Sequence, residues 1–466
     1  MKFDKDSNRL TDLGSLPNIA LLIGVIGAVL SGIGAWNNST QFFHSYLTSF
    51  VFWAAISLGA LFFTMVHHLV DAHWSIVIRR ISECIMGNLP WLFIAFIPIL
   101  LLVGKYEWAP INAAVDGHGD APAAHAVADD HSEQAVAVAD HDDHAGNDVH
   151  AEHAKHGDDA STGDHSERDG AYGGHDHDPH AAHHALVQKK KAYLNVPFFQ
   201  LRSIIYFLVW SVLSFLLYSR SVAQDTNPSP NFGAKIRPIC AIGMVLFALT
   251  ITYAAYDWMM SLEAAWFSTI FGLCYFAAAF LSMMCFTALV VVYLRRKGIL
   301  ADTITIEHYH DIGKWMFAFT IFWTYVSFSQ YFLIWYGTLP EETFWYHVRW
   351  ADGWKCWSQL LILGHFIVPF FFLLSREPKR NPFALAAAAI WILIFHWVEM
   401  YWQVAPALRH HVTDVTTTAS LSWQDAATFA AIGGFFVYLF WKRLAKHPLI
   451  PVGDAKLDKS IRFTNI

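Results

Sequence analysis

The sequence predicts an all-α integral membrane protein of about ten transmembrane helices, and three observations point there. Hydrophobic residues fill 55% of the 466 positions and charged residues only 15%, where a soluble chain carries about a quarter charged. Ten apolar stretches punctuate the chain, most of them near or above the roughly 20 residues that let a helix cross about 30 Å of hydrocarbon. Basic residues gather in alternate loops, the asymmetry that orients membrane helices. Unbroken apolar character excludes the alternating strands of an outer-membrane barrel.

In chain order the spans are expected at Pro17–Trp36, Phe43–Val70, Leu89–Val103, Phe198–Tyr218, Ile236–Tyr256, Thr269–Leu294, Ile312–Trp335, Trp357–Leu374, Phe383–Trp402 and Ala426–Phe440. The third and tenth are short. The opening segment, Met1 to Ser15, is polar and no small-residue cleavage site follows, so the first span is expected to stay as an anchor. One set of loops carries Lys2, Lys5 and Arg9, then Arg79 and Arg80, Arg220, Lys235 and Arg237, Arg295 to Lys297 and Lys314. It continues with Arg376, Lys379 and Arg380, and closes with Lys442, Arg443 and Lys446. The short alternate loops carry almost none: none at Asn37–Gln41 or Ser261–Ser268, Arg349 and Lys355 after span seven, and Arg409 after span nine. Both termini are therefore expected to be cytoplasmic.

Gly117 to His184 is a low-complexity run of His, Asp, Ala and Gly that includes His175, His177, His180, His183 and His184. It has too little apolar surface for a core, and the charge rule places it outside the cytoplasm. Such tracts hold zinc, copper or nickel loosely. They also occur as plain solvated insertions, and no spacing here fixes a coordination geometry, so no metal site is assigned. The five cysteines (Cys84, Cys240, Cys274, Cys285 and Cys356) form no C-x-x-C or C-x-x-C-H motif. That pattern argues against covalent haem c, a four-cysteine iron–sulfur site or a structural zinc on this chain.

Ionisable side chains inside spans are the sharpest functional signal, because each costs roughly 2.5–3.5 kcal/mol at mid-membrane on insertion scales. Span two ends in Met65-Val-His67-His68-Leu-Val-Asp71. There His67 and Asp71, four apart, read either as a proton entry point or as wet headgroup residues. Span five ends with Tyr253 and Asp257, span nine with His396 and Glu399, each a pair able to meet along its own helix. Span seven carries a polar stripe of Tyr325, Ser327, Ser329 and Gln330, suited to helix adhesion or to holding relay waters. His365 lies mid-span in span eight as a relay group, a core histidine or a haem ligand. No pair of histidines repeated on one helix supports haem b.

Four strings carry a resemblance: Asp257-Trp-Met-Met-Ser-Leu-Glu263, Trp266-Phe-Ser-Thr-Ile-Phe271, Phe328-Ser-Gln330-Tyr-Phe-Leu-Ile-Trp-Tyr-Gly337 and Pro340-Glu-Glu-Thr343. They resemble the F-subunit family of bacterial alternative complex III, within the NrfD-like polysulfide reductase membrane subunits. The resemblance runs from the first span to the last and implies two four-helix bundles, spans two to five and six to nine, flanked by two peripheral helices. It divides the chain into residues 1–42, a first bundle at 43–260 interrupted by the insertion at 105–196, a second bundle at 261–402, and a last span with tail at 403–466. It also implies partners: a paralogous NrfD-like C subunit, an iron–sulfur B subunit, pentahaem and monohaem cytochrome c subunits and small membrane subunits, with cytochrome c or a terminal oxidase as acceptor. Haem c and iron–sulfur clusters belong to those partners, quinol to the paralogue, and no cofactor to this chain. Spans three and four hold no His–Asp pair for a quinol head group, only Gln200 and Arg202 at the outer edge.

The expectation is thus an inner-membrane subunit of a quinol:cytochrome c oxidoreductase, a scaffold with a proton-conducting path. The candidates are His67, His68, Asp71, Tyr253, Asp257, Tyr325, Ser327, Ser329, Gln330, His365, His396 and Glu399. Two rivals stand beside it: a subunit binding quinol itself near Asp257 and Tyr253, and a metal-ion transporter with a periplasmic His-rich sensor loop. No nucleic-acid partner is expected.

Overall fold

The computed structural model describes residues 2–4, 8–116, 185–228, 232–351, 353–411 and 420–464. The His-rich run Gly117–His184, with its candidate metal-binding histidines, lies outside the described residues. Among the described residues nine helices are long and apolar enough to cross a membrane, and the chain is an all-α, multi-pass membrane protein. A tenth long helix, Trp423–Leu444, is less apolar and lies where the last span was expected.

Each group of four spans closes into a ring. Span two (Ser39–Leu69) touches span three, three touches four (Val196–Thr226), four touches five (Phe232–Trp258), and five returns to two. Spans six (Phe271–Arg296), seven (Ile306–Gly337), eight (Trp354–Leu374) and nine (Pro382–Val404) repeat that ring. Spans two and six pack on each other at the centre and are buried along almost their whole length. Their side chains are apolar on every face, as expected of helices with no lipid-facing side.

The first span (Leu16–Asn37) pairs with the tenth outside the rings. Its small residues Ala20, Gly24, Gly27, Ser31 and Gly34 are buried, while Ile19, Leu22, Ile23, Ile26 and Val29 face outward. Small residues at three- and four-residue spacing let backbones approach closely, the usual adhesive between membrane helices. A Cβ on Gly27 would sit 2.4 Å from the Ala431 nitrogen, whereas one on Gly32 meets nothing within 4 Å. Gly27→Leu should therefore cost about 1–3 kcal/mol by overpacking and Gly32→Leu almost nothing, a contrast read by thermal unfolding of the purified protein.

Span three differs from its expected form. It is a broken helix, Ile76–Met86 followed by Leu89–Leu101, and the break falls just before Pro90, whose ring disfavours helical geometry in the preceding residue. Asn88 fills the break by donating to the Phe436 carbonyl of span ten at 3.1 Å and accepting from Arg443 at 2.7 Å. The first half carries Arg79, Arg80 and Glu83, all buried. Sequence reading had assigned the two arginines to a loop.

Both chain ends lie on one face. Lys2–Asp4 and Arg9–Asp12 form a small antiparallel hairpin, and the Asn8 carbonyl accepts from the Leu449 amide at 2.8 Å. Beyond span ten the tail crosses this face to a short helix, Leu457–Ile461. Ser460 donates to the Trp74 carbonyl at 3.0 Å, and its own carbonyl meets His308 Nε2 of span seven at 3.1 Å. Lys456 bonds Asp71, and Arg237 adds a contact at 3.0 Å. The Lys456 ammonium, helped by Arg237, holds the Asp71 carboxyl below its ordinary range. A lowered carboxylate contributes stability above its unfolded value and loses it as pH falls through the folded one, so this clasp persists at neutral pH.

Candidate functional site

Three buried polar centres stand out, and the structure treats the candidate carboxylates differently. At the face opposite the termini, Asp257 closes span five and is fully buried. Arg202 of span four reaches it with two parallel bonds of 2.8 Å, and Tyr206 donates to it at 2.7 Å. The guanidinium lies on Tyr193 at 3.8 Å and Phe198 at 4.2 Å, and donates to the Tyr193 carbonyl at 2.8 Å. Such bidentate pairing, stacked and hydrogen-bonded, is the form in which a buried ion pair is tolerated. Asp257 is a lock. Tyr253, expected beside it, is 44% exposed and its ring meets Tyr256 edge-on instead.

The equivalent carboxylate of the second bundle has a different shell. Glu399 is 1% exposed, and among the described residues no lysine or arginine pairs with it. Trp323 Nε1 of span seven donates to Oε1 at 2.6 Å, Gln403 Nε2 lies 3.3 Å from the same oxygen, and His396 Nδ1 lies 3.2 Å from Oε2. The expected His396–Glu399 pair thus exists. The His365 ring sits 4.1 Å from the Trp323 ring, centroid to centroid, and neither of its nitrogens finds a hydrogen-bond partner among the described residues. His365 falls in a π-helical stretch of span eight, Ile362–Ile367, an irregularity frequent at functional sites. Trp391 of span nine donates to the Gly364 carbonyl there at 2.8 Å.

Beside Glu399 opens a cavity of about 440 Å³ between spans six, seven, eight and nine and the helix Pro340–Trp350. Glu399, Gln403, Ser327 and Gln330 supply its polar wall, and Trp323, Tyr331, Trp345, Tyr346 and Trp402 its aromatic ones. Gln330 Nε2 and Gln403 Oε1 are buried without a hydrogen-bond partner among the described residues. A donor and an acceptor left open beside a cavity of this size suit water or a polar ligand group. Arg349 braces the lining residues, donating to the Trp345, Trp402 and Gln403 carbonyls at 3.0–3.2 Å and stacking on Trp345 at 3.3 Å. Burial lowers Arg349 to about 9. The polar stripe of span seven divides: Ser327 and Gln330 reach the cavity, Tyr325 is 65% exposed on the outer face, and Ser329, half-buried, does not line it.

The third centre lies near the face bearing the termini and contains residues that sequence reading left in a loop. Arg79 contacts Glu83 at 3.1 Å and Asp454 of the tail at 2.8 Å, while Arg80 contacts Glu83 at 3.5 Å and Asp225 at 2.6 Å. Arg79 Nη1 also lies 3.1 Å from His67 Nε2, and His67 Nδ1 lies 2.7 Å from Ser75 Oγ. A guanidinium only donates, so His67 accepts at Nε2 and carries its proton at Nδ1 as a neutral ring. His68, also buried, packs edge-on against it at 5.0 Å. His67 and Asp71 do not meet as expected: the helix ends at Leu69, and Asp71, at φ 55°, turns away to Lys456.

The candidates therefore form no single file. His67 and His68 belong to the first bundle near one face; Glu399, His396, Ser327 and Gln330 belong to the second toward the other, with His365 of the same bundle mid-span. Phe52 of span two lies with its ring 5.0 Å from that of His396. Among the described residues no group of three or more His, Cys, Asp and Glu gathers as a metal site. A scan against protein-family models gives no match to this chain, and a search of curated proteins finds no significant one.

Proposed function

We propose that this chain is a membrane subunit of a respiratory quinol oxidoreductase of the alternative complex III type, lying in a bacterial inner membrane with both termini cytoplasmic. In this reading it serves as scaffold and conducts protons, while quinol oxidation, iron–sulfur clusters and haem c reside on partner subunits. The observation that carries the proton role is Glu399: a fully buried carboxylate with a histidine and an indole as neighbours, no lysine or arginine pairing with it among the described residues, and a polar-walled cavity at its side. A group so placed can take a proton from water in the cavity and return it. Asp257, neutralised by Arg202, takes no part. Supporting the family are the four sequence strings and the paired rings of four spans.

Assembly is tested by gentle purification of this chain with its native partners, subunit identification and a reduced-minus-oxidised spectrum. Co-isolation with multihaem and iron–sulfur subunits is the expected result. A chain that purifies alone, or with its own b-type haem, contradicts the reading.

The cavity also favours a second reading, in which this chain binds quinol directly. The site then lies at Glu399 and not at Asp257, because aromatic walls and open amide groups suit a polar-edged ring. A photoreactive quinone analogue that labels residues 323–331 or 399–403 supports it, and labelling confined to the paralogue rejects it.

A further inference from the structure

The cavity beside Glu399 is walled toward the aqueous face and open toward the lipid. On the aqueous side a run of touching rings crosses from span seven to span nine. Tyr331 meets Tyr346 at 5.1 Å, Tyr346 meets Trp345 at 4.9 Å, and Trp345 meets Trp402 at 5.1 Å. The outward side differs, because the two halves of span eight have different neighbours. The inner half, Val368–Leu374, packs along span seven, whereas the outer half, Trp354–Leu361, packs on span nine and the helix Pro340–Trp350. Between them lies the π-helical stretch Ile362–Ile367, an irregularity at which helices change course. Phe328 of span seven and Ile362 of span eight both line the cavity and are 59% and 48% exposed, so they flank its mouth. Phe328 lies about 14 Å along its helix from Gly337, and Ile362 about 10 Å from Lys355, at 1.5 Å per residue. Those depths put the mouth in hydrocarbon, out of reach of a water-soluble molecule.

We infer that this cavity is filled sideways from the bilayer, through the gap between spans seven and eight, by a molecule with an uncharged, hydrogen-bonding head and an apolar tail. The inference deepens the quinol-binding reading above and rests on it. An anionic head is disfavoured because Glu399 lines the cavity and no lysine, arginine or histidine does. Arg349, behind the lining, spends Nε, Nη1 and Nη2 on backbone carbonyls. A charged head of either sign would also have to enter at hydrocarbon depth, where charge is costly. The head hydrogen-bonds because Gln330 Nε2 and Gln403 Oε1, one donor and one acceptor, are buried without partners among the described residues. A hydroxyl satisfies both, accepting from the first and donating to the second. The tail stays in the gap between Phe328 and Ile362, in surroundings as apolar as the lipid.

The test uses the full chain with its partners in lipid nanodiscs, a photoreactive quinone analogue with a decyl tail, and a light flash at increasing times after mixing. Labelling of residues 323–331 and 399–403 reports occupancy, and its rise with time reports entry. Ile362→Trp narrows the mouth and should slow the rise at least about fivefold, while Phe328→Ala widens it and should quicken the rise. Both side chains are largely exposed, so neither change removes packing from the core. An excess of decyl phosphate should leave the labelling unchanged, and an excess of the same quinone without its photoreactive group should abolish it. An unchanged rise in both variants overturns the sideways entry and leaves the quinol-binding reading standing. Labelling that decyl phosphate displaces as well as the quinone does overturns the uncharged head. Absence of labelling at these residues in the unaltered chain overturns the quinol-binding reading and this inference with it, and leaves the proton role of Glu399 to its own test.

Discussion

Arg202→Leu is expected to destabilise the protein by about 3–5 kcal/mol, because it leaves the Asp257 carboxylate buried without its partner. The pair is bidentate, fully enclosed and stacked on two rings, and Tyr206 alone cannot replace the lost charge. Asp257→Leu should cost a similar amount by stranding the guanidinium. The double change Arg202→Leu with Asp257→Leu should recover most of the loss, since apolar replacement of a whole buried pair is often near neutral. Unfolding of the purified protein in graded denaturing detergent measures all three. If the double variant is no better than the singles, the pair does more than neutralise itself and Asp257 returns as a functional group.

Glu83→Ala is the second large effect, again about 3–5 kcal/mol. Glu83 is fully buried and touches both Arg79 and Arg80, so its removal leaves each arginine with one remaining carboxylate, from Asp454 and Asp225 respectively. The expected readout is a lower unfolding midpoint and poor accumulation in the membrane. Glu83→Gln keeps the size of the side chain and should lose less. The difference between the two variants separates charge pairing from packing.

How much of this was legible in the sequence depends on distance along the chain. The spans announce themselves, since about 20 apolar residues in a row have few other uses in a folded chain. The His396–Glu399 pair was legible because helical spacing of three brings side chains together. The partner of Glu399 on span seven was not, because Trp323 lies 76 residues away and an indole in an aromatic helix carries no local signal. Asp257 was recognised as a buried carboxylate, but Arg202, 55 residues earlier, looked like an interface residue. The inner cluster was missed for a physical reason: Arg79, Arg80 and Glu83 lower the local hydropathy, so a window reading ends the membrane segment at them. Their partners lie 145 and 375 residues away, and only the folded chain brings them together. One signal was available. Arg79, Arg80 and Glu83 recur at three- and four-residue spacing beside Ile76, Val77, Ile81 and Ile85, a pattern that suits a helix with self-paired charges better than a loop.

The two halves of the molecule use one design for different ends. Each ring of four spans places a carboxylate at the end of its last helix. The first is neutralised by an arginine and fixes spans four and five together; the second pairs with no lysine or arginine among the described residues and lies beside a cavity.

The most direct test of that difference is the proton-to-electron ratio of the intact complex in sealed proteoliposomes, wild type against Glu399→Gln. Glutamine keeps the size and most of the hydrogen bonding to Trp323 and Gln403 but cannot carry a proton. Transfer through this site should slow by about 10²–10⁴-fold, so the variant should oxidise quinol while pumping fewer protons per electron. A Glu399→Gln complex that assembles, turns over and translocates protons at the wild-type ratio would contradict the account.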